Sequence, residues 1–119
     1  MADELSVSVQ VSFNLENVEF VKMMAKAFDK ASGDFDAKTV DLTTSETQLD
    51  PDPLSGDAIY LIINTGANNV NVGYSDGSYR WFALLLPGEF CFYPSNGDVP
   101  PYVKTTSSTS TVEYYAFIK

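Results

Sequence analysis

Two acidic pairs stand at i and i+2, Asp34 and Asp36 in "GDFD" and Asp50 and Asp52 in "DPDP". That spacing can present two carboxylate oxygens to calcium, but neither pair continues into a full calcium-binding loop, so both read as solvated acidic loops. Nucleophilic catalysis asks for a base beside Ser, Thr or Cys, and the chain has no histidine. Lys, Asp and Glu are the remaining bases, and none stands in a recognisable setting. Without histidine, and with Cys91 as the one cysteine, the usual zinc ligand sets and an intrachain disulfide are also missing. Carboxylates for glycoside hydrolysis are defined by their separation in the fold, which spacing along the chain does not give. The residues therefore describe a protein that is not an enzyme, with no catalytic, cofactor-binding or metal-binding residue.

What chemistry remains is aromatic. Seven Tyr, eight Phe and one Trp make up 13% of the chain. Strand alternation sends most of these rings into a core, whereas Tyr74, Tyr79 and Trp81 around "YSDGSY" are expected at the surface, able to stack on a sugar or a partner. Phe90, Phe92 and Tyr93 in "EFCFYP" complete a candidate interface.

Seven Lys and Arg against sixteen Asp and Glu give a net charge of −9, which repels phosphate backbones and anionic lipid alike. Neither nucleic acid nor a membrane is an expected partner. The N-terminus "MADELSVSVQ" has no basic segment followed by an apolar run, and the expectation is a protein made and used in the cytosol or in something assembled there. At 119 residues, one domain over residues 1–119 is expected, large enough for a core without disulfides or metal.

The elements that must position these rings are strands. Leu5, Val7, Val9, Val11, Phe13 and Leu15 alternate with polar residues, the period of a strand buried on one face. "ENVEFVKMMAKAFDKASG" reads equally as a short helix near residues 17–31, capped by Asn17 and ended by Gly33, or as another strand. Met and Ala favour the helix; the β neighbours favour the strand. "KTVDLTT" is a short β-branched run, and "SETQLDPDPLSGD", with two prolines and a glycine, reads as loop. Strands follow at 58–64 and 70–74, the first apolar on both sides and hence central. Asp76-Gly77 is placed for a type I′ hairpin turn. Trp81–Leu86 and Glu89–Tyr93 are strands joined by Pro87-Gly88, where proline sets the first corner of a type II turn and glycine the positive φ of the second. Strands at 102–105 and 111–119 close the chain. Seven to nine strands with punctuation every eight to twelve residues indicate a sandwich or a small barrel, and the expectation taken from them is an all-β, single-domain antiparallel β-sandwich, jelly-roll-like. The unbroken "FALLLPGEFCFYP" fits strands covered by the second sheet on one side and by another protein on the other.

From "VDLTTSETQLD" to the C-terminus, about two thirds of the chain, the sequence resembles small structural proteins of tailed-bacteriophage virions. The resemblance runs through "TTSE", "IYLIINTGANNVNVGY" as an Asn, loop, Val-x-Val-Gly strand pair, "LLLPGEF" as a Leu-x-Pro-Gly-Glu corner, and "PYV" with "VEYYAFI". None of these motifs is catalytic; each marks a fold. The resemblance implies a small β-sandwich located in the virion and assembled in the host cytoplasm, most simply a head decoration (cement) protein, with a neck or tail component as the alternative. Its implied partners are the major capsid protein or other virion proteins, and further copies of itself as a dimer or trimer. A carbohydrate-binding β-sandwich is the rival from another class.

Overall fold

The computed structural model describes residues 4–15, 18–29, 35–49, 58–95 and 99–118. Among them are ten strands and no helix: β1 (Glu4–Leu15), β2 (Val18–Asp29), β3 (Phe35–Leu42), β4 (Thr47–Gln48), β5 (Ala58–Asn64), β6 (Val70–Ser75), β7 (Tyr79–Leu85), β8 (Phe90–Ser95), β9 (Tyr102–Thr105) and β10 (Ser110–Ile118). β1 and β2 form a two-stranded ribbon. The other eight form two antiparallel sheets, ordered β3-β10-β5-β8 and β4-β9-β6-β7. In chain order β3 to β10 pass between the sheets at every connection but β6 to β7, and the resulting order is that of an eight-stranded jelly roll.

Alternation builds the core. Ala58, Tyr60 and Ile62 of β5 and Val112, Tyr114 and Ala116 of β10 face Val70 and Val72 of β6, Val103 of β9 and Leu85 of β7. Each fully buried aliphatic side chain contributes about 1.5–3 kcal/mol. The expected loop at 45–57 is interrupted by β4, and Leu49 just after it is buried among the core residues; the proline-bearing part of that segment lies outside the described residues.

The helix alternative for residues 17–31 is overturned. β2 pairs with β1 in an unbroken twelve-residue register from Glu4↔Asp29 to Leu15↔Val18. Twelve residues make a marginal helix in water, and the cross-strand partner offered by β1 outweighs the preference of Met and Ala. The register mixes the chemistry of the two strands. Val7, Val9 and Val11 share a side with Lys26, Met24 and Lys22, while Ser8, Gln10 and Ser12 share theirs with Ala25, Met23 and Val21. One side of the ribbon is thus mostly apolar, interrupted by Lys22 and Lys26, and the other mixes polar with apolar residues.

The corner at 86–89 is as expected: Gly88 has φ +86° and the Glu89 N–H donates to the Leu86 carbonyl at 2.9 Å. The Glu89 carboxylate also accepts from the Leu86 N–H at 2.8 Å, which accounts for the glutamate of "LPGE". The hairpin between β6 and β7 forms, but its turn is not type I′. Ser75 pairs with Tyr79, so the loop has three residues, and of these only Gly77 has positive φ, at +108°. Asp76 keeps an ordinary backbone because its carboxylate serves the turn, accepting from the Ser78 N–H at 3.4 Å and from Arg80 Nε at 2.8 Å.

Asn64 explains another marker. Fully buried at the end of β5, it donates through Nδ2 to the Asn68 and Leu85 carbonyls (2.8 and 2.9 Å) and accepts at Oδ1 from Gly66 N and Ser110 Oγ (both 3.1 Å). Its backbone carbonyl accepts from Gly88 N at 2.8 Å and its N–H donates to the Glu89 carbonyl at 2.9 Å. One side chain therefore ties strands of both sheets to two loops, with every polar atom satisfied.

Candidate interaction site

β7 is an edge strand of one sheet and β8 an edge strand of the other, joined by the Pro87-Gly88 corner. The two edges lie beside each other along one flank of the sandwich. A β-bulge shapes that flank: Val72 pairs with Ala83 but Gly73 pairs with Trp81, leaving Phe82 without a ladder partner. Phe82 stacks instead on Tyr93 of β8, with ring centroids 5.6 Å apart and planes 12° from parallel. Together with Tyr74, Phe92, Pro94 and Val99 these rings line an open groove of about 530 Å³. Tyr93 Oη donates to the Val99 carbonyl at 2.9 Å, and Ser95 Oγ donates to the same oxygen at 2.7 Å. Partial burial raises the Tyr93 hydroxyl's pKa, the Tyr74 hydroxyl nearby adding to the effect.

Around the groove the flank is apolar. Phe82 is 50% exposed, Leu84 49%, Leu86 47%, Phe90 65% and Phe92 37%. Cys91 points the other way, packed against the core, and burial pushes its thiol up to about 11. It acts as a small apolar side chain.

The same bulge turns Trp81 to the outer face of its sheet. There the indole stacks on Tyr79 (5.8 Å, 12°), Lys104 Nζ sits 4.9 Å above it, and Tyr79 meets Tyr102 edge-on at 5.3 Å. Gly73 makes room for the packing, since a Cβ there would stand 2.8 Å from Trp81 Cε3. Tyr102 Oη donates to Gln48 Oε1 at 2.9 Å, and Lys104 approaches Glu46 at 3.8 Å. The Asp76–Arg80 ion pair is fully exposed; the Arg80 hydrogen bond lowers the Asp76 pKa.

The six expected interface residues therefore divide. Tyr74, Phe92 and Tyr93 meet in the groove, Tyr79 and Trp81 lie on the outer face of the β6–β7 sheet, and Phe90 projects from the outer face of β8. Tyr74 and Trp81 are half-buried, not exposed. Phe82, Leu84 and Leu86 belong to the surface as well; the unbroken apolar run announced them, though not their direction. Val9, Val11, Val21, Met23 and Met24 of the ribbon are exposed and carried no signal beyond alternation.

Asp34, Asp50 and Asp52 lie outside the described residues, as does the side chain of Asp36. Among the described residues no three His, Cys, Asp or Glu side chains cluster as metal ligands, and no helix is long and apolar enough to cross a membrane. The arrangement can do one thing well, which is to hold apolar surface against another surface. Comparison with known protein families, curated proteins and solved structures returns no match.

Proposed function

We propose that this chain is a non-enzymatic structural protein of a tailed-phage virion, a decoration subunit bound outside the head through the major capsid protein or other virion proteins. The observation that carries the interface half of this reading is the β7–β8 flank. Phe82, Leu84, Leu86 and Phe92 stand 37–50% exposed on a chain of net charge −9. Several large exposed apolar side chains on one small domain mark an interaction surface. The acidic charge suits a subunit that must stay soluble before it meets a particle. The virion half rests on the sequence resemblance, whose Asn64, Gly73 and Leu-x-Pro-Gly-Glu markers are determinants of the fold. The jelly roll is used by viral capsid proteins and also by lectins and cupins, so the fold supports the reading only by analogy.

The Tyr79–Trp81–Tyr102 cluster favours a carbohydrate-binding module as the second reading. It ranks below the first because the indole is already engaged by Tyr79, Lys104 and the Gly73 backbone. Binding of the purified chain to particles lacking it, run beside a glycan array, separates the two. Particle binding without glycan binding supports the virion reading, and the converse supports the module.

A further inference from the structure

The β1–β2 ribbon is longer than the surface beneath it. Val7 and Val9 line a space with Leu61 of β5, Phe117 of β10, and Phe90 and Phe92 of β8, so the ribbon crosses the outer face of the β3-β10-β5-β8 sheet. Four strands about 4.8 Å apart make a sheet roughly 15 Å across, whereas twelve residues at about 3.4 Å make a ribbon of roughly 40 Å. Much of it must overhang. The radius of gyration agrees, at 15.7 Å against about 13.5 Å for a compact chain of this length. Among the described side chains beyond Val9, Val11 is 51%, Val21 58% and Met23 66% exposed.

Seating within the chain is also loose. A space of about 380 Å³ remains between ribbon and sheet, and Phe90, next to it, stays the most exposed large apolar side chain of β8. One chain thus carries both an unfilled apolar face and a ribbon whose described apolar side chains beyond Val9 are open to solvent. The charges match too. Lys22 stands opposite Val11 on the ribbon side that carries Val9 and Met24, while the row Phe90, Ile63, Glu113 runs across the sheet face.

We propose that the overhanging half of the β1–β2 ribbon docks on a second copy of this chain, Val11 lying on that copy's Phe90 and Ile63 with Lys22 beside its Glu113. Two copies related by a twofold axis exchange ribbons reciprocally, so each unfilled face and each free ribbon half is covered at once. The pairing rests on reading the exposed apolar surface as an interface, and it does not depend on what particle the chain binds.

The test uses the full chain alone in solution, with mass measured by light scattering and sedimentation at micromolar concentration. The expected mass is that of two chains. Val11→Asp, on an exposed ribbon position, and Phe90→Asp, on the sheet face, are each expected to weaken self-association at least about tenfold while leaving the melting temperature within a few degrees of the parent. A monomeric parent overturns the proposal. So does a dimer that survives either substitution, since both halves of the contact are required. If the dimer behaves as expected but the chain fails to bind particles, the virion reading falls and the ribbon exchange stands. If Val11→Asp abolishes particle binding while the parent is monomeric, the ribbon's partner is the particle and the exchange falls.

Discussion

Phe82 and Tyr93 stack at 5.6 Å across the open flank of the sandwich, one ring from the edge strand of each sheet. The contact exists because the bulge at Gly73 frees Phe82 from the ladder, and it joins two sheets whose neighbouring edge strands share no backbone pairing. Phe82→Ala is expected to lower stability by about 1–2 kcal/mol, from the lost stack and part of the buried ring. Tyr93→Phe keeps the stack but removes the hydrogen bond to Val99, a loss of about 1 kcal/mol. Urea unfolding of both variants checks the pair, and an unchanged midpoint for Phe82→Ala would show that the ring is merely surface.

Asn64→Ala is expected to cost about 3 kcal/mol or more. The substitution removes four hydrogen bonds at a fully buried position and takes away the acceptor of the Ser110 hydroxyl and a donor to the Leu85 carbonyl. Thermal melting gives the answer, and a loss under 1 kcal/mol would mean that water replaces the side chain without difficulty.

Gly88→Val should destabilise by about 1 kcal/mol or more, because a β-branched residue holds φ +86° only with strain. No heavy atom stands within 4 Å of the missing Cβ, so the cost is one of backbone conformation rather than crowding. Gly88→Asn, a residue that tolerates the left-handed region, should recover part of the loss. Equal stability of the valine and asparagine variants would contradict the assignment.

Burial raises the Cys91 thiol from its ordinary 9.0 to about 11. Below pH 9 the thiol is protonated in both the folded and the unfolded chain, and it adds no pH dependence. As pH rises from 9 toward 11 the unfolded chain releases this proton while the folded chain retains it, so stability falls across that window. At pH 8 labelling by iodoacetamide is expected to be slow in the folded protein and fast in denaturant. Comparable rates in the two states would show Cys91 to be accessible.

Much of this architecture was legible in the sequence, and the exceptions have specific causes. β5 and β9 run over the residues that alternation and flanking turns mark, because their faces differ sharply or are both covered. β2 was ambiguous because neither side of it is buried strongly enough to impose a period; Met23 and Met24 are both more than half exposed. Trp81 and Tyr74, expected at the surface, are half-buried because the bulge opposite Gly73 seats the indole against Tyr79 and Lys104, and because Tyr74 lines the groove beside Phe82 and Tyr93. The type I′ expectation failed on the Asp76 side chain, whose bonds to Ser78 and Arg80 settle a three-residue loop instead. The interface residues were visible as an apolar excess, whereas their division between a groove and an outer face depends on which strands become sheet edges.

The measurement that bears most directly on the proposed role is the number of copies bound at saturation by phage particles lacking this protein. A decoration subunit fills a number of sites set by the symmetry of the shell, and Phe82→Asp on the exposed flank weakens that binding while the fold is retained. A handful of copies confined to one vertex would place the chain in the neck or tail instead, and no binding to particles together with micromolar binding to a glycan would contradict the structural role altogether.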